Sequence, residues 1–122
     1  MSVLTLTGKE YKETFPPLLK EYATYMTVIK GNSEKTVCEY LLDLRTFFRY
    51  LRAGSSASEM SAEDFSGISI RGITLDDAKA VTPQTVIEFL MFVGMDRKNS
   101  NTTRMRKISA LRSFYHYLFA KK

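Results

Sequence analysis

The chain has 122 residues, of which 44% are apolar and 25% charged, a balance typical of one soluble globular domain with its own core. The single cysteine, Cys38, excludes an internal disulfide, and the longest apolar run, Phe89–Met95, is too short to cross a bilayer. We therefore expect a cytoplasmic protein with no membrane partner. The net charge is +5, and the positive charge is concentrated in the last 26 residues, which hold eight Lys or Arg and no Asp or Glu.

Two amphipathic helices are predicted in the first half of the chain, after an N-terminal extension over residues 1–14. The first begins at Phe15, where two prolines suit an N-terminal turn, and continues at helical spacing to Ile29 before Gly31. The second begins after the N-cap residue Ser33 and ends at Gly54. Its apolar stripe predicts a buried face formed by Val37, Leu41, Leu44, Phe48 and Leu51.

An irregular connection is predicted over residues 55–81, which contain six serines and two glycines. Within it Leu75–Ala80 is expected to form a helical turn. Four apolar residues are expected to tuck part of it against the core: Ile68, Ile70, Ile73 and Leu75. Thr82 and Pro83 then suit the N-cap and first position of a third helix. Because that helix is apolar nearly all round, we expect it to be the most buried element.

A fourth helix is predicted from Ser100 to about Phe119, and helical geometry sorts its side chains into two faces. The face expected to meet the core contains Met105, Ile108, Leu111, Tyr115, Leu118 and Phe119. The outer face combines cations with small or hydroxylated residues: Thr102, Thr103, Arg106, Ala110, Ser113 and Tyr117, with Lys107 and Ser109 on its flanks. Since no strand is predicted, the fold class is all-α, a small helical bundle formed by residues 1–122 as one domain.

The outer face of the fourth helix suits a polyanion, and nucleic acid is the expected one. Free N–H groups at the helix start can hold a phosphate, and Arg106 and Lys107 can contact phosphates or guanine edges. A solubilising surface explains the charge count equally well. Arg112 leans toward the apolar face, where a structural role is expected, and Arg104 can bridge to an acid such as Asp43 or Glu88.

Two sequence patterns lie on the second and fourth helices. The first is Ser33-Glu34-Lys35-Thr36 followed by Tyr40, Asp43-Leu44, Phe47-Phe48 and Leu51. The second is Arg106-Lys107-Ile108-Ser109-Ala110-Leu111-Arg112-Ser113-Phe114-Tyr115. They resemble the S-x-x-T…Y-x-x-D-L…F-x-x-L and R-x-L-S-A-L-R-S-F-Y segments of the tyrosine recombinases, the integrase family of which bacterial Xer-type enzymes are typical. The third helix fits the family's T-x-x-D/E…F-L pattern loosely.

The resemblance implies a fold and a role for nearly the whole chain. It implies the N-terminal core-binding domain, a SAM-like bundle of four to five helices that clamps duplex DNA opposite a separate C-terminal catalytic domain. DNA contact is then assigned to the starts of the second and fourth helices: Lys35, Thr36, Tyr40, Thr102, Thr103, Arg106 and Lys107. Other recombinase protomers are implied as partners in a tetramer on DNA, whereas the isolated domain is expected to be monomeric.

Catalysis by this chain is not expected. The resemblance places the tyrosine, arginines, lysine and histidines of DNA recombination or integration in the catalytic domain, and His116 lacks the family's H-x-x-R pairing. We also expect no metal site and no cofactor, since the sequence has no Cys/His cluster and no glycine-rich phosphate loop. Two other functions remain open: a helix-turn-helix DNA-binding regulator, and a protein-interaction helical bundle with an incidental basic face.

Overall fold

The computed structural model describes the chain over residues 8–122, and the described part is built from helices. The α-helices are α1 Gly8–Thr14, α2 Pro17–Thr24, α3 Glu34–Ala53, α4 Ala62–Ser66, α5 Leu75–Lys79, α6 Pro83–Met91 and α7 Asn101–Lys121. Two π-helical turns extend α2 over Tyr25–Ile29 and α6 over Phe92–Asp96, and a 3-10 turn at Gly54–Glu59 follows α3. The predicted all-α class is confirmed. None of the described helices is both long and apolar enough to cross a membrane.

The N-terminal extension expected over residues 1–14 lies partly outside the described residues. Within them, α1 leads into the bundle. The ring of Tyr11 packs on that of Phe15, with centroids 5.8 Å apart. Lys20 of α2 donates from Nζ to the carbonyl of Lys12 at 2.9 Å. These contacts connect α1 to the first helix of the core.

Five of the described helices have an N-cap residue with a hydroxyl side chain. Each accepts a hydrogen bond from the backbone N–H three residues later, at 3.0–3.3 Å, and so satisfies a donor that the helix itself cannot. They are Ser33, Ser61, Thr74, Thr82 and Ser100. The predicted stops at Gly31 and Gly54 are also confirmed, because both have a positive φ, of +70° and +63°, which glycine adopts most readily.

The core is organised around a network of aromatic rings. Phe114 of α7 is fully buried, and its ring centroid lies 5.4 Å from that of Tyr22 in α2 and 5.8 Å from that of Phe48 in α3. Phe47 continues the network to Phe89 of α6, with a centroid distance of 5.0 Å. These pairs meet edge to face, the arrangement that ring quadrupoles favour. Helices α2, α3, α6 and α7 therefore share one core.

Residues 55–81 contain short helices instead of one structureless loop. Ile70 and Ile73 are buried as predicted, and the expected turn near residue 75 is α5. Arg97, just after α6, donates from Nη2 to the carbonyls of Ala57 and Met60 at 3.3 and 3.0 Å. This segment is therefore held at both ends, by apolar burial near α5 and by backbone contacts near the 3-10 turn.

The third predicted helix is not the most buried element. Its structure, α6 and the following π-helical turn, buries Phe89, Phe92 and Val93, whereas Ile87 and Met91 are 52% and 55% exposed. Because apolar residues occur nearly all round this helix, its sequence pattern does not specify which side faces the core. One side of α6 packs on the aromatic rings of α3, and the opposite side is left as an apolar surface.

The buried face of α7 is rotated from the predicted one by about 100°, the angle of one residue. It consists of Lys107, Ala110, Leu111, Phe114, Tyr117 and Leu118. Ala110 and Tyr117, expected on the outer face, are buried, whereas Met105 and Phe119, expected in the core, are 60% and 65% exposed. The prediction was wrong because apolar residues occur on most sides of this helix, so the pattern alone leaves its rotation undetermined.

Candidate nucleic-acid interface

Helices α3 and α7 lie side by side and run in the same direction. Asp43 contacts Arg106, and further along both helices the ring centroids of Phe48 and Phe114 lie 5.8 Å apart. Because both contacts advance together along the two helices, we infer that the two N-termini point toward the same end of the bundle. Helix N-termini carry partial positive charge and free N–H groups, so this end of the bundle favours anions.

A buried carboxylate joins the two helices. Asp43 is 3% exposed. Arg106 donates to it from Nε to Oδ2 at 2.9 Å and from Nη2 to Oδ1 at 3.0 Å, while Lys107 donates from Nζ to Oδ1 at 2.8 Å. The hydrogen bonds to Asp43 raise the pKa of the Arg106 guanidinium, and the charge of nearby Glu39 acts in the same direction. Asp43, the expected partner of Arg104, therefore binds Arg106 and Lys107 instead.

Arg106 and Lys107 are not equivalent, although both were expected to present their charge on the outer face or its flank. The side chain of Arg106 remains 41% exposed, but that of Lys107 is only 9% exposed. The expectation for Lys107 is wrong because the rotation of α7 places it on the buried face. Arg106 lies at the edge of that face, where the guanidinium meets both Asp43 and solvent.

The first turn of α3 presents hydroxyl and cationic groups. Ser33 accepts a hydrogen bond from the N–H of Thr36 at 3.1 Å, and its hydroxyl donates to Thr36 Oγ1 at 3.0 Å. Lys35 is exposed, whereas Thr36 and Tyr40 are half-buried. The Tyr40 side chain packs against the core, so part of its surface faces outward and part stabilises the bundle.

The first turn of α7 repeats this arrangement. Ser100 accepts from the N–H of Thr103 at 3.2 Å and donates to Thr103 Oγ1 at 3.1 Å. Thr102 is exposed and Thr103 is half-buried. The predicted residues thus lie in the first two turns of two helices that run in the same direction, with Lys107 as the member that is turned inward.

A cleft beside α7 contains basic residues that sequence reasoning did not select. It has a volume of about 530 Å³ and lies between the turn after α2 and the outer side of α7. Lys30, Asn32, Arg112 and His116 line it, and none of its lining residues carries a carboxylate. Arg112, for which a structural role was expected, is exposed. Lys30 and Asn32 lie within three residues before the N-cap residue Ser33, and this position is the sequence signal that could have indicated them as candidate binding residues.

Several cations of the last 26 residues stabilise the fold. The guanidinium of Arg97 lies 5.0–5.2 Å from the centres of two buried phenylalanine rings. Lys122 forms an ion pair with Glu21, and Lys121 Nζ lies 5.7 Å from the ring centre of Tyr25. The number of cations in this segment that can bind a partner is therefore smaller than its count of Lys and Arg.

An apolar groove lies between α6 and the start of α7. Its volume is about 730 Å³, and Met91, Met95 and Met105 on its walls are 55%, 68% and 60% exposed. Arg104 borders the groove, where its guanidinium donates to the side chain of Asn101. Contiguous exposed apolar side chains of this kind are typical of surfaces that contact other proteins.

Comparisons with known proteins identify relatives over most of the chain. Tyrosine recombinase XerC of Caldanaerobacter subterraneus subsp. tengcongensis is 35% identical over 109 residues, which are 88% of this chain and 30% of that protein. Tyrosine recombinase XerC of Pediococcus pentosaceus is 28% identical over 101 residues, which are 83% of this chain and 27% of that protein. No protein-family model and no solved structure matches the chain.

The chain spans less than a third of the length of these curated relatives. Their similarity nevertheless covers most of the chain itself, and it agrees with the resemblance predicted from the patterns on α3 and α7. The predicted family relationship is confirmed. This chain is related to the tyrosine recombinases over most of its length.

Proposed function

We propose that this chain is a DNA-binding domain that holds duplex DNA for site-specific recombination. Strand breakage and rejoining would be performed by a catalytic domain outside this chain. The relationship to tyrosine recombinases supports the proposal. The observation that carries it is the shared end of α3 and α7, where two hydroxyl-capped N-termini lie beside exposed cations.

Each residue type at this end has a distinct task. The capped helix starts offer backbone N–H groups to phosphates, and Lys35 contributes a point charge. The guanidinium of Arg106 can bind a phosphate, or O6 and N7 of guanine, through two parallel hydrogen bonds. The proposed contact residues are Lys35, Thr36, Tyr40, Thr102, Thr103 and Arg106, extended along the cleft by Lys30 and Arg112. Lys107 acts indirectly, through its buried ion pair.

The apolar groove favours a second function, contact with another protein. The family resemblance makes another recombinase protomer the expected partner there, in an assembly on DNA. Met91→Gln and Met105→Gln, which remove apolar surface without adding charge, should then prevent the assembly of protomers on a shared DNA duplex while leaving the affinity of one domain for DNA unchanged. Light scattering of the protein–DNA complex measures this, and assembly unaffected by both substitutions would contradict the second function.

The salt dependence of binding tests the DNA-binding function. Fluorescence anisotropy of a labelled mixed-sequence duplex should show log K falling linearly with log[salt], at about 0.9 per phosphate neutralised. Lys35→Ala should reduce the slope by about 0.9. Arg71→Ala is the matched control, because it removes the same charge from an exposed residue between α4 and α5.

Two results would contradict the proposal. One is the absence of binding by the folded chain at low salt. The other is an equal loss from Lys35→Ala and Arg71→Ala, because the duplex would then respond to net charge alone and not to the shared end of α3 and α7.

A further inference from the structure

A carboxylate lies at the edge of the proposed DNA interface. A negative charge near a polyanion is repelled, so simple electrostatics predicts that removal of Asp43 strengthens DNA binding. Asp43 is nevertheless almost fully buried, and three hydrogen bonds from two cations converge on it. Its surroundings indicate a role other than surface charge.

The contact with Asp43 uses one edge of the Arg106 guanidinium and leaves another edge open. Nε and Nη2 donate to the two carboxylate oxygens at 2.9 and 3.0 Å, which fixes the plane of the group. A guanidinium has five N–H donors, so three remain, including one on each of Nη1 and Nη2 along the outer edge. This outer edge has the fork geometry that matches a phosphate or a guanine.

Lys107 explains how the charge of Arg106 remains available. Its ammonium lies 2.8 Å from Asp43 Oδ1 on the buried side of the cluster, where it balances the carboxylate. Arg106 therefore shares the carboxylate without being its sole counter-ion. Glu39, one turn earlier on α3, is a second negative charge near Arg106 and acts on it through space.

We infer that Asp43 is a positioning residue for DNA binding: it holds the Arg106 guanidinium with its outer edge toward the duplex, while Lys107 balances the carboxylate inside the bundle. This inference rests on the proposed DNA-binding function. An arginine held in this way loses less conformational freedom when it binds. Ordering a long side chain costs about 0.5–1.5 kcal/mol, which corresponds to about a 2- to 12-fold change in Kd.

The test compares two carboxylates that lie one turn apart. Asp43→Asn and Glu39→Gln each remove one negative charge near Arg106, and binding to the labelled mixed-sequence duplex is measured at fixed salt. Asp43→Asn should weaken binding by about 2- to 12-fold. Glu39→Gln should leave the affinity unchanged or raise it, because Glu39 influences Arg106 through charge alone.

A double-mutant cycle separates positioning from a general structural effect. In the Arg106→Ala background, Asp43→Asn should cause no further loss, whereas a structural role would weaken binding in both backgrounds. Asp43→Asn leaves the ammonium of Lys107 buried without its partner, so the double variant Asp43→Asn/Lys107→Met provides a second measurement. It keeps the net charge of the wild type, and it should show the same loss of affinity. Circular dichroism checks that each variant is folded.

The possible outcomes distinguish the inference from the proposed function. Equal or tighter binding by Asp43→Asn or by Asp43→Asn/Lys107→Met would overturn the inference, and so would a loss that persists in the Arg106→Ala background. In those cases the salt-dependent binding of the wild type would still support the proposed function. Absence of wild-type binding at low salt would overturn both.

Discussion

Replacement of Phe114 by alanine tests the packing of α7 most severely. The ring is fully buried and contacts Tyr22, Phe48 and Tyr115, with centroid distances of 5.4, 5.8 and 5.1 Å. Removal of a buried phenylalanine ring costs about 3–5 kcal/mol, because apolar burial is lost and a cavity remains. Since domains are stable by about 5–15 kcal/mol, Phe114→Ala should remove a large part of the free energy of unfolding.

The matched control is Phe119→Ala, the same substitution on an exposed part of the same helix. Phe119 is 65% exposed and stacks loosely on Tyr115 at 6.0 Å, so its replacement should cost less than about 1 kcal/mol. Urea denaturation followed by circular dichroism gives both free energies of unfolding. If Phe119→Ala destabilises the chain as much as Phe114→Ala, the buried face of α7 has been assigned wrongly.

Three further predictions concern the fold. Ala110→Leu should destabilise the chain by about 1–3 kcal/mol, because Ala110 is completely buried, and a neutral effect in urea denaturation would place it on the surface. Ser100→Ala should cost about 1 kcal/mol through loss of the α7 cap, with Ser109→Ala as the exposed control that should cost much less. Burial raises the pKa of Tyr22 to about 12, against the opposing effect of its hydrogen bond with Ser113. Because the pKa of Tyr22 is higher in the folded chain than in the unfolded chain, the un-ionised tyrosine contributes roughly 3 kcal/mol to the free energy of unfolding. This contribution is complete below pH 10 and is lost as the pH rises to about 12. Unfolding measured across this range should be less pH-dependent in Tyr22→Phe, and an unchanged dependence would argue against the shift.

Local rules predicted where the main helices begin and end. Ser33, Thr82 and Ser100 are caps whose hydrogen bonds involve residues only three positions away, and Gly31 and Gly54 adopt a backbone that other residues disfavour. Such features depend on neighbours in the sequence, so the sequence suffices to locate them.

Rotation of the helices was harder to predict, because it depends on distant contacts. Met105 and Phe119 are as apolar as the leucines and the phenylalanine that α7 buries, and the contact between Asp43 and Arg106 joins residues 63 positions apart. The candidate site shows the same division. Lys35 and Thr102 are exposed at helix starts, as their positions predicted, whereas Lys107 was expected near the surface and is buried.

The central claim is that the shared end of α3 and α7 binds DNA. Its most direct test is the salt dependence of duplex binding by the wild type and by Lys35→Ala/Arg106→Ala, which removes one cation from each helix. The account predicts that the slope of log K against log[salt] decreases by about 1.8 in the double variant, at about 0.9 per lost phosphate contact. An unchanged slope in a folded variant would show that DNA, if bound, is bound elsewhere.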